Sequence, residues 1–335
     1  MRLTAQLLAG NPAATPEEAV RWLLAVQAQD ARGFRLAIRA RTATATQEPL
    51  VTALTERRSL VVGWLNRGTL HLVAAEDYRW LHRLTTPQLA VGNARRLRQE
   101  GVSPEQAARG VAVVADEVAA GPRTRAQLAA AVAAAGVPHL GQALVHVLFK
   151  AALEGVVVRG PVLGSEQAYV ALDGWLGPDT EALDRRTALA LLARRYLAAH
   201  GPADARDLAK WAGIPLRDAT AALAAIQDET EAQENGLVVL PGAASVERVP
   251  PRLLGSWDAL LLGWASRAPI TGDHDAAIVS GGLFRPFALV AGRAVGVWRM
   301  TNGHVELDLL QRVSADDRRG LEADADAVLG WLGGR

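Results

Sequence analysis

Apolar positions near the start of the chain recur at helical spacing. Val20, Leu23 and Leu24 follow the i, i+3, i+4 rhythm of a helix buried on one face, and Thr15-Pro16-Glu17-Glu18 opens it: Thr15 caps, Pro16 fits the first helical position and Glu18 closes a capping box. The same signature at Ser103-Pro104-Glu105-Gln106 and at Thr124-Arg125-Ala126-Gln127 predicts helices from about 104 to 120 and from about 125 to 135. Gly136 and Pro138 interrupt the pattern before a longer helix from about His139 to Glu154. The runs Val156-Val157-Val158 and Tyr169-Val170-Ala171, separated by turn signals at Gly160-Pro161 and Gly164-Ser165, then read as a hairpin.

Three helices followed by a hairpin is the outline of a winged helix-turn-helix. It recurs at 185–240, with a helix to His200, Asp204 as a cap, a break at Gly213, a helix from Pro215 to about Ile226 and a strand at Leu237-Val238-Val239-Leu240. It occurs again at 16–73, where helices lead into Leu60–Trp64, a turn at Asn66-Arg67-Gly68, and the strand Thr69–Val73. Beyond Pro250-Pro251 short apolar runs alternate with glycine turns: Ala259–Trp264, Ala277–Val279, Phe287–Val290, Val295–Arg299 and, after the hairpin signal Asn302-Gly303, Val305–Leu310. The expected fold class is α+β. Three tandem winged helix-turn-helix units occupy 1–100, 101–180 and 181–250, and a β-rich C-terminal module at 251–335 ends in a helix from about Ala315 to Leu332.

Composition narrows the class of protein. Half of the 335 residues are hydrophobic, yet no apolar run approaches a bilayer span and the N-terminus lacks the apolar core of a secretory signal, so a cytoplasmic location is expected. The absence of cysteine excludes disulfides, iron–sulfur clusters, thiol catalysis and cysteine-based zinc fingers. Net charge is only +1, but residues 1–159 carry +7 and residues 160–335 carry −6, so a polyanion is expected on the first half. All but two of the 36 basic residues are arginine, which suits phosphate, although an Arg- and Ala-rich chain is equally what a GC-rich genome writes by default.

No phosphate-binding loop, dinucleotide fingerprint, nucleophile elbow or H-E-x-x-H helix occurs. The seven histidines are scattered and Asp273-His274-Asp275 reads as a polar loop, so neither metal nor cofactor is expected. The informative departure is Gln27, an amide at the i+7 place of the apolar stripe begun at Val20, where a core residue is expected. A buried amide needs partners. Gln29 would lie about 200° around a continuing helix, so the two side chains converge only if the backbone leaves helical geometry there, which nearby Gly33 favours. The other reading that local physics allows is a frayed helix end with a solvated glutamine.

Taken together, Val26-Gln27-Ala28-Gln29-Asp30, the stretch Gly63-Trp64-Leu65-Asn66-Arg67-Gly68-Thr69-Leu70-His71-Leu72-Val73 with Ala75-Glu76-Asp77, and pieces between Asp258 and Arg299 resemble the winged-helix DNA glycosylases of the AlkZ/YcaQ type. Those pieces are Asp258, Leu261-Leu262-Gly263, Arg267, Gly281–Pro286 and Gly292–Arg299. The resemblance implies excision of alkylated bases, with Gln27 and Gln29 as the catalytic pair in the double-glutamine version associated with bulky or crosslinking natural-product lesions. The implied role is DNA repair or self-resistance to a DNA-alkylating natural product. The implied partner is double-stranded DNA carrying alkylated purines, met by a monomeric chain without metal, cofactor or membrane. Where the family often has an aspartate-arginine pair, this chain reads Ala265-Ser266-Arg267, which removes the arginine's local partner.

The chemistry is consistent with that implication. Glutamine cannot accept a proton near neutral pH, so a double-glutamine site must act on a bond that is already weak. N7-alkylation makes guanine cationic, so the base departs neutral while the sugar becomes cation-like, and amide dipoles can orient water and stabilise that cation.

Further candidates are Arg35, Arg39 and Arg41, whose spacing suits a phosphate track or a solvated basic face. Arg67 and His71 lie in the most family-like segment and are assigned to DNA or the active site, and Arg285, in a matching stretch, to DNA. His139, Gln142, His146 and Lys150 form the polar stripe of the long helix near 150. The alternative reading of the whole chain is a non-enzymatic winged-helix DNA-binding or regulatory protein, with a protein-interaction scaffold as a third, and whether Gln27 and Gln29 face one concave, Arg-lined channel separates them.

Overall fold

The computed structural model describes residues 1–163, 166–179, 182–244 and 249–333, and they form a mixed helix and sheet structure. Two compact units divide the chain: one comprises residues 1–51 and 186–335, the other 52–185. Among the described residues no helix is long and apolar enough to cross a membrane.

In the unit formed by 52–185, the strands Thr69–Ala74, Leu60–Leu65, Val157–Leu163 and Glu166–Ala171 lie side by side in that order, each antiparallel to its neighbour. The Gly164-Ser165 turn signal lies outside the described residues. Helices start where the caps require. Ser103 and Thr124 each accept from the backbone three residues on while Gln106 and Gln127 return the bond, opening Pro104–Ala119 and Arg125–Ala134. Val111, Val114, Leu128, Val132, Val147 and Leu148 from these helices pack with Trp64, Val157 and Tyr169 of the sheet as one core. The third helix runs Ala143–Leu153, shorter than the pattern predicts, because Gly141 takes a φ of 59° that a helix cannot continue through.

In the other unit, helices Arg185–His200, Ala205–Ala212 and Leu216–Ala224 precede a two-stranded ribbon, Glu231–Ala232 with Val238–Val239. Asp204 caps the second of these helices in a reciprocal box and Gly213, at φ 69°, ends it. Farther on, four antiparallel strands stand in the order His304–Leu309, Arg293–Thr301, Phe287–Val290, Arg252–Leu254. Asn302 and Gly303, both at positive φ, make the predicted hairpin turn. The final helix, Ala315–Gly333, buries Leu321 and Val328 against Leu253, Ala288, Val295 and Trp298 of this sheet and Leu36 of an N-terminal helix, Ala31–Arg39.

Two runs read as strands are short helices instead, Ala259–Leu262 and Asp275–Ile278. For the first the cause is tertiary. Asp258 accepts from the Leu260 backbone N–H at 2.9 Å and is held by Arg41, which fixes a helical start that the local pattern does not encode.

Candidate functional site

The helix Pro16–Leu23 opens as its sequence predicts, with Thr15 accepting from the Glu18 backbone, while the Glu18 carboxylate reaches the Ala14 N–H rather than that of Thr15. It closes early. Leu24, at φ 66° and ψ −50°, forms a γ-turn of the rare positive-φ kind, closed by the Ala25 N–H on the Leu23 carbonyl at 2.8 Å. The chain leaves it extended through Val26–Gln27, and Asp30 then caps Ala31–Arg39 by accepting from the Gly33 N–H. Gly33 is required there, because a Cβ would stand 2.4 Å from the Ser256 carbonyl oxygen.

That break in the helix settles the geometry of the two glutamines. In extended backbone, residues two apart share a face, and Gln27 Nε2 donates to Gln29 Oε1 at 2.7 Å. Gln27 is 6% exposed, whereas Gln29 is exposed. A buried amide thus aligns one that faces solvent, and the dipoles of both are set by the bond between them. The site holds oriented donors and acceptors with no group that titrates near neutrality.

The arginines that follow have divergent surroundings. Arg35 is half-buried, donates through Nη1 to the Ala31 carbonyl at 3.1 Å, lies over the Phe34 ring, and has its pKa lowered by burial. Arg39, one turn on, is 9% exposed and forks onto Asp324 at 3.1 and 2.7 Å. Arg41 is fully buried and forks onto Asp258 at 2.9 and 2.7 Å, with Nε on the Gln6 carbonyl. Arg267 regains an acidic partner that its local sequence lacks: Asp275, eight residues on, accepts from its Nε at 2.7 Å. Asp275 is thereby engaged and His274 meets Gln311, so the Asp273–Asp275 stretch serves local contacts. Arg285 is exposed, and its backbone N–H is tied to the Ile278 carbonyl.

Arg67 and His71 stand on the hairpin Leu60–Leu65 with Thr69–Ala74, in the 52–185 unit. Its turn runs through Asn66–Gly68, with Arg67 in the left-handed region at φ 56° and Gly68 at φ 75°. At Gly68 a Cβ would press to 3.2 Å from the Phe149 ring. His71 is 2% exposed, and its Nδ1 donates to the Thr69 carbonyl at 2.9 Å. Burial, reinforced by the charge of Arg67 and opposed by that bond, pushes the imidazole down to about 3. Burial also lowers the Arg67 guanidinium to about 10, leaving it cationic at neutral pH. Gly63 lies opposite His71, and the Tyr78 ring fills the space a side chain would need, 2.5 Å from the Cβ position.

Two buried polar groups here escaped sequence reasoning. The Asn66 amide and the Tyr78 hydroxyl have no hydrogen-bond partner among the described residues. The only local sign was an asparagine beginning a turn, which ordinarily marks turn geometry. Of the expected polar stripe only His146 and Lys150 lie on the long helix, where His146 meets Asn93 and Lys150 meets Glu154, whereas His139 and Gln142 precede its first residue, Ala143.

Comparison with known proteins finds a family and a similar fold. The model of the family "DNA glycosylase AlkZ-like" matches residues 20–331. Among solved structures, the DNA glycosylase AlkZ of Streptomyces sahachiroi is similar in fold, with a TM-score of 0.81 at 23% identity over 99% of this chain and 95% of that one. No curated protein sequence matches.

Proposed function

The chain belongs to the AlkZ-like DNA glycosylase family, and on that premise we propose that it hydrolyses the N-glycosidic bond of cationic alkylpurines in double-stranded DNA, bulky N7-alkylguanines and crosslinked ones included. The observation that carries this reading is the hydrogen-bonded Gln27–Gln29 pair. Loss of the base takes the C1′–N9 electron pair onto the cationic ring and neutralises it. Water oriented by the two amides then bonds to C1′, and its proton passes to solvent, so no general acid or base is needed. The product is an intact abasic site, as for a monofunctional hydrolase.

In the same reading, 1–100, 101–180 and 181–250 are tandem winged-helix units and 251–335 the module completing them, in a monomer that serves repair or self-resistance to an alkylating natural product. Arg35, Arg67 and Arg285 contact DNA, whereas Arg39, tied to Asp324, holds the fold.

Incubation with a duplex carrying N7-methylguanine, followed by heating in alkali, reveals abasic sites. Gln27→Ala and Gln29→Ala should each lower single-turnover excision by about 10²-fold, with little change in thermal stability. Wild-type rates in the double variant would refute the mechanism. Uracil, 8-oxoguanine and hypoxanthine should remain in place, because a neutral base leaves poorly without acid assistance. Release of any of them, or borohydride trapping of a covalent adduct, would point to other chemistry, and tight DNA binding without excision would favour a regulatory protein.

A further inference from the structure

The Arg39 fork leaves one of its N–H groups idle. Nη1 and Nη2 donate to Asp324 at 3.1 and 2.7 Å, whereas Nε is buried with no acceptor among the described residues. Trp331, on the final helix and 2% exposed, holds a second such group, its indole Nε1–H. Indole only donates, and a buried Trp N–H ordinarily finds a partner. Both residues belong to the wall of one cavity of about 450 Å³, within the unit formed by 1–51 and 186–335. Leu8, Pro12, Ala40 and Ala327 give that wall its apolar part, and neither Gln27 nor Gln29 contributes to it. Its one carboxylate is engaged: besides Arg39, Asp324 accepts from the Leu253 backbone N–H at 2.7 Å, and Arg252 Nη1 stands 3.7 Å away. The Thr42 hydroxyl donates to the Ile38 carbonyl, so the Thr44 hydroxyl is the donor in the bond between the two threonines. Two guanidinium groups, Arg39 and Arg252, thus face a single carboxylate, and the wall carries a net charge of +1. Water could answer the N–H groups, but neither the charge nor the apolar wall.

We propose that this cavity binds a small organic monoanion, whose carboxylate accepts from Trp331 Nε1–H and Arg39 Nε–H while its apolar body lies against the rest of the wall. A carboxylate offers acceptor oxygens and no donor, which is what two idle N–H groups require, and its single charge matches that of the wall. A phosphate monoester carries nearer two charges at neutral pH. Arg252, whose side chain is 33% exposed, supplies the excess positive charge. The volume falls in the range of small-molecule sites and exceeds what an anionic head alone fills. The site is separate from the glutamine pair, so the proposal stands apart from the glycosylase reading.

Equilibrium titration of the intact chain with benzoate, benzamide and inorganic phosphate tests this. Benzoate should bind with a dissociation constant of about 1 mM or lower. Benzamide, which lacks the charge, should bind at least about 10-fold more weakly, and phosphate more weakly than benzoate. Trp331→Phe keeps an aromatic ring on the wall and removes the N–H, and should weaken benzoate about 10-fold. Arg252→Gln should also weaken benzoate but leave benzamide unchanged, which separates charge from packing. Thermal melting shows whether each variant folds and gives a second readout, since a ligand of the folded state raises the midpoint. If Trp331→Phe does not fold, the contrast between benzoate and benzamide in Arg252→Gln decides. No benzoate binding up to about 10 mM, equal affinity for benzoate and benzamide, or wild-type benzoate affinity in both variants would overturn the proposal. Phosphate binding more tightly than benzoate would overturn it as well, and competition by an unmodified duplex would then tell a seat for the DNA backbone from one for free phosphate.

Discussion

Two regions of this protein bury groups that can carry charge, and they meet the cost differently. In the segment from Ala31 to Arg41, Arg39 and Arg41 keep their charge and each forks onto a carboxylate, Asp324 or Asp258. In the hairpin Leu60–Ala74, His71 is as deeply buried, but it gives up its charge, and the Asn66 amide of the turn has no hydrogen-bond partner among the described residues. A buried charge answered by an opposite charge marks a joint of the fold, because the charge is balanced without a ligand. A buried imidazole held neutral needs no counter-charge, so burial chiefly sets its protonation state. Arg35 and Arg39 make the same point within one helix: they share a face, yet only Arg39 meets a carboxylate.

The largest expected effect tests the paired side of this contrast. Asp258→Ala leaves the fully buried Arg41 guanidinium uncompensated and should cost about 3–5 kcal/mol in urea unfolding. A loss below about 1 kcal/mol would show that the pair is no anchor. Next in size is the response to acid. His71 and His200 are each lowered from 6.5 to about 3 chiefly by burial, so the unfolded chain binds more protons than the folded one in that window. Stability should thus be full above pH 6.5 and fall towards pH 3, by up to ~1.4 kcal/mol per pH unit per group, and His71→Gln should flatten the slope of the unfolding midpoint against pH. A midpoint independent of pH from 6.5 to 4 would contradict the neutral burial of His71 and His200.

The smallest effect sharpens the contrast between the two arginines. Arg35→Glu should weaken DNA binding several-fold and reduce the salt slope by about 1, with the unfolding midpoint unchanged. Arg39→Glu should instead lower that midpoint, since it sets a like charge against Asp324. Equal effects of both reversals on binding, with stability intact, would return Arg39 to the DNA surface.

Much of the local structure was legible because its causes are local. The capping boxes at Ser103 and Thr124 need only residues three apart, and the Asn302-Gly303 turn needs only two positive φ values. The convergence of Gln27 and Gln29 was legible as a condition: it required a break in the helix, which Leu24 supplies at φ 66° although nothing about a leucine announces it. Partners remote in sequence were not legible. Asp275 answers Arg267 from beyond an intervening turn, and Asp324 answers Arg39 from the last helix.

What the sequence by itself determined is where helices begin, where hairpins turn, and that an amide interrupts an apolar stripe at Gln27, for these follow from short-range hydrogen bonding and from the period of apolar residues. Only the tertiary structure decided which arginines are committed to carboxylates, that 259–262 is a helix rather than a strand, and which nitrogen of His71 carries the proton. Those outcomes depend on burial and on groups brought together from distant parts of the chain, where removing water raises the cost of an unanswered charge, and no local pattern records that cost.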